Sequence, residues 1–244
     1  MTNLSSIENI YVIHAKKGYE KQEKRLITLF KKYRLDFEFV TDGDPSLFND
    51  EIINKYFCSS IRSVLSDGIL SCTLNHILCY EKIVERNNKF ALIFENDPYF
   101  LGDFLDKMTK VMNEVHTLDK GLLVSLENST LNFPSFKSIK KNKYLYKAEK
   151  GRCAGAYLID LQGAKNILKD LESHKCCQVI DWWHNEMISR GIIKVFWAHP
   201  PLTEQGSHNG LMDSSISGSG KSLKRRIQWL AQKYYKTYIR ILFK

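Results

Sequence analysis

Two carboxylates follow directly after a run of five apolar residues. Phe90-Ala91-Leu92-Ile93-Phe94 shows no polar alternation, which is typical of a strand covered on both faces, and Glu95-Asn96-Asp97 comes next. Ligands of open α/β sheets bind at this edge, and crowded carboxylates need a cation or a donor-rich ligand to offset their repulsion. Oxygen ligands suit Mg²⁺ or Mn²⁺, which can also hold a diphosphate. The alternative is a solvated acidic turn in which Asp97 caps the next helix.

Two histidines and a further aspartate are the other candidates for chemistry. His76 lies early in a predicted helix, where it either reaches the site or bonds a nearby backbone carbonyl. His208 has glycine and serine neighbours that would let its loop close over a ligand; otherwise it is a solvated loop histidine. Asp181 precedes Trp182-Trp183-His184 and is either a functional carboxylate or a helix N-cap.

An alternation of strands and helices positions these residues. The β-α-β order at the start favours a parallel sheet. Apolar runs predict strands over 9–14, 37–40, 90–94, 122–126, 154–159 and 195–197, and helical spacing predicts helices over 19–32, 70–88, 104–115, 162–171 and 181–190. Residues 45–69 are mixed in signal, and residues 128–150 are interpreted as a surface loop or a β-ribbon. Pro98 cannot donate to a ladder, so we expect the preceding strand to end before it.

Composition limits the class of protein. The chain has 244 residues, of which 43% are hydrophobic and 26% charged, as in ordinary globular proteins with room for one α/β domain and a short appendage. We expect no signal peptide and no membrane span, hence a cytoplasmic protein whose six cysteines are reduced. P-loop, G-x-G-x-x-G and G-x-S-x-G motifs are absent, which argues against an NTPase, a nicotinamide dehydrogenase and an α/β-hydrolase.

Most of the net charge of +9 comes from the C-terminal segment of the sequence. Residues 214–244 contain eight lysines or arginines and no acidic residue, whereas the rest is nearly neutral. Apolar residues recur there at intervals of three or four and predict one helix from about 223 to 242: Leu223, Ile227, Leu230, Tyr234, Tyr238 and Ile241. Trp229, Tyr235 and Phe243 add aromatic rings.

This tail has the make-up of a helix that lies in an anionic membrane surface. The alternative is that the stripe packs on the protein's own domain. A nucleic-acid contact is disfavoured because the body is neutral and one helix is a small footprint. We expect that deleting residues 221–244 leaves a folded protein that no longer binds anionic liposomes and still acts on a soluble acceptor.

Several segments resemble the motifs of one enzyme family, in order and spacing. Residues 68–76 (GILSCTLNH) are similar to the motif GEIGCxLSH, residues 80–85 and 91–97 (ALIFEND) to W-x-K-I-V and A-L-I-L-E-D-D, and residues 155–164 to G-x-x-A-Y-I-I-S-x-x-G-A. Asp181 falls at a further family aspartate. The chain thus resembles glycosyltransferase family 25 over roughly residues 9–216. It departs from the family at Asn96 and Asn75, which stand in place of an aspartate and a serine, and Asn96 lowers the charge offered to a metal.

The resemblance implies a GT-A-like α/β domain with a mostly parallel sheet over residues 1–217, followed by a linker and the basic amphipathic helix over 218–244. It implies inverting transfer of galactose from UDP-galactose to a lipopolysaccharide or lipooligosaccharide hydroxyl, assisted by Mn²⁺ or Mg²⁺, at the inner face of the cell membrane. The metal ligands would be Glu95, Asp97 and His208. Residues at the nucleotide-sugar donor would be His14, Arg25, Asp42, Asn75, His76 and Asn96.

In such a reaction a carboxylate takes the proton of the acceptor hydroxyl, and Asp181 is the candidate, with Trp182 and Trp183 as surfaces for sugar stacking. The alternative function is a binding protein that keeps the fold and has lost metal-dependent turnover. Asn96 is the residue that favours this alternative.

Overall fold

Nine strands form two sheets in the computed structural model, which describes residues 6–15, 17–129, 134–212, 222–235 and 239. The strands are β1 (Ile7–Ile13), β2 (Glu38–Val40), β3 (Phe90–Phe94), β4 (Pro98–Phe100), β5 (Leu122–Ser125), β6 (Leu145–Ala148), β7 (Ala156–Asp160), β8 (Lys194–Ala198) and β9 (Thr203–Gln205). Seven of them make the main sheet in the order β2-β1-β3-β7-β5-β8-β6, and β4 pairs with β9 in a small second sheet.

Eight α-helices accompany these strands in the described ranges. They are α1 (Glu20–Lys32), α2 (Asp50–Tyr56), α3 (Ile61–Val64), α4 (Asp67–Glu85), α5 (Phe104–Val115), α6 (Leu161–Ser173), α7 (Ile180–Ser189) and α8 (Leu223–Tyr234). The helix predicted over 104–115 is confirmed at both ends. The helix predicted over 70–88 begins and ends three residues earlier, after extended Ser66 and before Asn87, whose φ is +54°.

The main sheet is mixed, so the prediction of a mostly parallel sheet is confirmed only in part: three of its six pairings are parallel and three are antiparallel. β1 runs parallel to β2 and β3, and β5 runs parallel to β8. β7, however, lies antiparallel between β3 and β5, and β6 is antiparallel to β8 at the edge. All five residues of β7 are buried. A strand covered on both faces gives the same apolar run in either direction, so its orientation could not be deduced from composition.

Alternate residues of the strands supply two hydrophobic cores, one on each face of the sheet. Tyr11 and Ile13 of β1 belong to the core that α4, α6 and α7 cover. Ile10 and Val12 belong to the core that α1 and α5 cover. The sheet is thus held between two helical layers, which leaves its strand ends free to carry polar side chains.

Two parts of the chain gave weak sequence signals. Residues 128–150, interpreted as a loop or a β-ribbon, contain the edge strand β6. β3 ends before Pro98 as expected, but Pro98 itself begins β4, which pairs with β9 through Pro98 opposite Gln205. Both strands have three residues, too few for a periodic pattern. Their pairing brings residues 203–208 beside the acidic segment 95–97.

α8 has an exposed apolar side within the described residues. Leu223, Ile227, Leu230 and Tyr234 are 77%, 58%, 45% and 61% exposed. Leu223 and Ile227 in particular lie mostly outside the packing against the described residues, whereas Trp229, expected at a lipid surface, is buried. No helix in the described ranges is both long and apolar enough to cross a bilayer. The predicted linker 218–220, the boundary at 217, and Tyr238, Ile241, Leu242 and Phe243 lie outside the described residues.

Candidate active site

Three carboxylates lie within electrostatic range of one another where two strands of the main sheet end. Glu95 and Asp97 follow β3, and Glu127 follows β5. β7 lies between these strands, and the residue before it, Gly155, bonds both sides: its carbonyl accepts from the Glu95 amide at 2.9 Å, and its own amide donates to Glu127 Oε2 at 3.1 Å. The backbone of β7 thereby fixes the spacing of the acidic residues.

Glu95 is held from two directions. Gln205 donates from Nε2 to Glu95 Oε2 at 2.8 Å. On the other side, Glu95 Oε1 lies 3.5 Å from Nε2 of His76 and 3.8 Å from the sulfur of Cys72. Burial raises the pKa of Glu95, and the nearby His208 opposes that rise.

Asp97 is buried, which is incompatible with a solvated turn. Its Oδ2 accepts from the backbone amide of Ser207 at 2.7 Å, while Oδ1 has no hydrogen-bond partner among the described residues. The next helix, α5, is capped by Asp103, so the helix-cap interpretation of Asp97 is wrong. Burial raises the pKa of Asp97, and the charge of Glu95 raises it further.

Glu127 was not identified from the sequence. It is fully buried, and its Oε1 has no hydrogen-bond partner among the described residues but lies 4.0 Å from Nδ1 of His208. Burial raises the pKa of Glu127 strongly, and the charges of Glu95 and Asp97 add to that effect. A signal was present, because Glu127 directly follows the predicted strand 122–126, just as Glu95 directly follows the strand 90–94.

The residues present fit a divalent cation. Burial is the main cause of the raised pKa of all three carboxylates, and their mutual charge adds to it for Asp97 and Glu127. Asp97 and Glu127 also keep a buried oxygen without a hydrogen-bond partner in the described part of the chain. Donor atoms of Glu127, Cys153 and His208 lie within 4.8 Å of one another, as do those of Cys72, His76 and Glu95. Carboxylate oxygens favour Mg²⁺ or Mn²⁺. Burial raises the pKa of both thiols, which keeps them protonated.

His76 reaches the site from α4, but not with a backbone carbonyl as partner. Its Nδ1 lies 2.8 Å from the hydroxyl of Tyr157, which is 2.7 Å from that of Tyr80, which is 2.7 Å from Nε2 of His184. All four side chains are buried. Burial lowers the pKa of both His76 and His184 to about 3, so both rings are neutral. These contacts fix the position of the His76 ring, whose Nε2 faces Glu95.

A cleft beside Glu95 offers space for a ligand. Of the predicted donor residues, His14, Asn75 and Asn96 line it, together with Glu95 and the first turns of α4. Asn75 Oδ1 accepts from the amide of Gly43 at 2.8 Å and so fixes the turn after β2. The aspartate that lines the cleft is Asp44.

Asp42 and Arg25, also predicted at the donor, make other contacts. Asp42 is well exposed, lies 3.8 Å from Nζ of Lys82, and is not among the residues that line the cleft. Arg25 donates to the carbonyls of Asn96 and Pro98 at 3.1 and 2.8 Å. In this position Arg25 shapes the backbone of the acidic segment.

Asp181 lies in the first turn of α7, and the N-cap is Val179, so the N-cap interpretation is wrong. Burial raises the pKa of Asp181, and so does the charge of Glu95. This coupling places Asp181 within electrostatic range of the acidic group. Trp182 is 66% exposed beside it, but Trp183 is buried in the core and cannot stack on a sugar.

Comparisons with known proteins identify the family of this chain. The sequence model of glycosyltransferase family 25 (LPS biosynthesis protein) matches residues 7–181. A protein of Haemophilus influenzae with a provisional glycosyltransferase name is 30% identical over 159 residues, 62% of this chain and 53% of that protein. The lipooligosaccharide biosynthesis protein lic2B of Haemophilus influenzae is 25% identical over 174 residues, 68% of this chain and 63% of that protein.

An animal protein is also similar. Procollagen galactosyltransferase 1 of Danio rerio is 22% identical over 211 residues, 82% of this chain and 34% of that protein. The chain therefore spans between about a third and two thirds of the length of these relatives. Since the family match covers most of the sequence, including every residue from the cleft to Asp181, the chain belongs to glycosyltransferase family 25.

Proposed function

We propose that this protein transfers a sugar from a nucleotide-sugar donor to a hydroxyl group, in a GT-A-like site. The observation that carries the proposal is the group of three carboxylates, Glu95, Asp97 and Glu127, beside a cleft at the edge of the sheet. A diphosphate and its cation would offset the mutual repulsion of these groups. Membership in family 25 supports the reaction class.

The donor we propose is UDP-galactose, and the acceptor is a lipopolysaccharide or lipooligosaccharide hydroxyl. Two relatives support this choice through their names, one a lipooligosaccharide biosynthesis protein and the other a galactosyltransferase. The nucleotide would occupy the cleft along His14, Asn75 and Asn96.

Glu95, Asp97 and Glu127 would hold Mn²⁺ or Mg²⁺, with His208 adjacent. When bound, such a cation neutralises charge on the departing nucleoside diphosphate. Asp181 would accept the proton of the attacking hydroxyl in an inverting transfer, and its raised pKa brings it closer to the range in which a general base is effective. Exposed Trp182 offers an aromatic face to the acceptor sugar.

A panel of UDP-sugars tests this function. Thermal unfolding of the protein with each sugar nucleotide, with and without Mn²⁺, should show stabilisation by UDP-galactose that depends on the metal. Slow release of UDP without acceptor should accompany it. Stabilisation without any release or transfer would favour the alternative of a binding protein that has lost turnover, and no stabilisation by any UDP-sugar would contradict the proposal.

We further propose that the exposed side of α8 binds the anionic inner surface of the cell membrane. Leu223, Ile227, Leu230 and Tyr234 present apolar surface on a helix rich in lysine and arginine. Each basic residue near an anionic leaflet contributes about 1 kcal/mol. In sedimentation with anionic liposomes at low salt, the wild type should be found in the pellet with the liposomes. A variant in which Leu223, Ile227 and Leu230 are replaced by serine should remain in the supernatant, and its sedimentation with the liposomes would contradict the proposal.

A further inference from the structure

α8 also contacts the site through its other side. Trp229 is buried against the domain, and Arg225 and Arg226 both bond residues of the segment 203–212, here called the closing segment. This segment contains β9, Ser207 and His208. Contact is close at Gly210, where a Cβ atom would lie 2.9 Å from the Arg226 amide nitrogen and from the Ser222 carbonyl oxygen, and whose φ of +80° favours glycine.

One path of contacts leads from Arg225 to Asp97. The Arg225 guanidinium donates to the backbone carbonyl of Ser207 at 2.8 Å. The amide of the same Ser207 donates to Asp97 Oδ2 at 2.7 Å. Because both groups belong to one residue, the position of Ser207 depends on α8 and on the acidic group at once.

A second path leads from Arg226 to Glu95. Arg226 lies 3.4 Å from Oε2 of Glu204, whose side chain is 4% exposed. Asn128 and Asn209 donate to the same carboxylate at 2.8 and 3.2 Å. The next residue, Gln205, donates to Glu95. A buried carboxylate that loses its charged partner is costly, so the pair restrains β9 where it meets the site.

We infer that Arg225 and Arg226 are positioning residues, which hold the closing segment against Asp97 and Glu95 and so set the affinity for the donor. The inference rests on the proposed function in one respect, namely that these two carboxylates hold the donor's metal–diphosphate group. α8 is then both an anchor and a part of the site. This revises the expectation for deletion of residues 221–244, because the deletion removes both arginines and weakens donor binding even with a soluble acceptor.

The mechanical part of the inference is tested without any ligand. Hydrogen–deuterium exchange of the closing segment is measured in Arg225→Ala and Arg226→Ala, with Lys224→Ala as the control, since Lys224 is an exposed cation on the same helix. We expect exchange to quicken about fivefold or more in the two arginine variants and to stay at the wild-type rate in the control. Exchange that is unchanged in the arginine variants would overturn the inference.

Calorimetry with UDP and Mn²⁺ as probes tests the effect on donor binding. Variants that remove opposite charges distinguish a loss of positioning from a change in the electrostatic potential at the site. Arg226→Ala removes a cation, whereas Glu204→Gln removes an anion, yet both break the same pair. We expect both to raise the UDP dissociation constant about fivefold or more, Arg226→Lys to restore it in large part, and Lys224→Ala to leave it unchanged.

The outcomes distinguish this inference from the proposed function. Tighter UDP binding by Glu204→Gln, or equal losses in Lys224→Ala and Arg226→Ala, would show a field effect and overturn the positioning role. Wild-type protein that binds no UDP with Mn²⁺ would overturn the proposed function, while the exchange experiment still decides whether α8 holds the closing segment.

Discussion

Gln205 donates a hydrogen bond from Nε2 to Oε2 of Glu95 at 2.8 Å, and this bond joins the small second sheet to the acidic end of β3. The contact exists only because position 155 is glycine. A Cβ atom there would lie 2.3 Å from Cδ of Gln205 and 2.4 Å from its Nε2. The end of a flexible side chain can move away, so the bond to Glu95 is the feature that a larger residue would remove.

Gly155→Ala should therefore leave the protein folded and weaken Mn²⁺-dependent UDP binding. Gly151→Ala is the matched control, because a Cβ atom there meets its nearest neighbour, Asn185 Oδ1, at 3.7 Å, an ordinary contact. Calorimetry compares Gly155→Ala, Gln205→Ala and the double variant. If the alanine acts through Gln205, the double variant loses no more affinity than either single one; additive losses would contradict this explanation.

Asp181→Asn should lower kcat about 10²- to 10⁴-fold, because the amide cannot accept the acceptor's proton. The affinity for UDP should remain nearly that of the wild type. Initial rates at saturating donor and calorimetry with UDP measure the two effects. Turnover at the wild-type rate would remove Asp181 from the mechanism.

Glu127→Gln should weaken Mn²⁺ binding, although the substitution keeps the shape of the side chain and its contact with Gly155. Loss of an outer-shell partner of a metal ligand typically costs about 10- to 100-fold in metal affinity, and loss of a direct ligand should cost at least as much. Titration of Mn²⁺ into the variant, followed by calorimetry, measures the loss. Glu149→Gln, at an exposed position, controls for the change in net charge. Equal Mn²⁺ affinities in Glu127→Gln and the wild type would place Glu127 outside the metal site.

The neutral buried histidines predict a loss of stability in acid. Burial lowers the pKa of His184 to about 3 from an ordinary value of 6.5, so the unfolded chain takes up the proton first. The stabilisation is present above pH 6.5 and is lost as the pH falls from there toward 3. Between about pH 8 and about pH 5 each such histidine should cost about 2 kcal/mol.

Urea unfolding at the two pH values measures this loss. His184→Gln should reduce the pH dependence of the free energy of unfolding by about 2 kcal/mol. An unchanged pH dependence in His184→Gln would mean that this ring does not carry the effect.

The sequence was sufficient where a segment is long or wholly apolar. β3 and α5 were located from apolar runs and helical spacing, and Glu95 and Asp97 followed from their place after β3. A strand that is buried on both faces has an apolar sequence whichever way it runs. The position of β7 along the chain was therefore predicted, but its antiparallel direction in the sheet was not. Asp44, rather than Asp42, lines the cleft because the turn after β2 decides which carboxylate faces it, and no periodicity describes such a turn.

Contacts between distant segments could not be deduced from one sequence. Gln205 lies 110 residues from Glu95, and Ser207 lies 110 residues from Asp97. The three-residue strands that bring them together have no pattern of their own. The basic residues of α8 gave a similar difficulty. In the sequence, Arg225 and Arg226 are indistinguishable from the exposed Lys224, and only the structure shows that they contact Ser207 and Glu204.

If Asp97, with Glu95, holds the metal–diphosphate group, sugar transfer depends on its carboxylate, and this dependence is measured as the rate of transfer by Asp97→Ala with saturating UDP-galactose, Mn²⁺ and acceptor. Circular dichroism and thermal unfolding first establish that the variant is folded. Since Asp97 Oδ1 is a buried carboxylate oxygen without a partner among the described residues, we expect its removal to abolish transfer while the fold is kept. A folded Asp97→Ala variant with a kcat near that of the wild type would show that Asp97 does not hold the metal–diphosphate group.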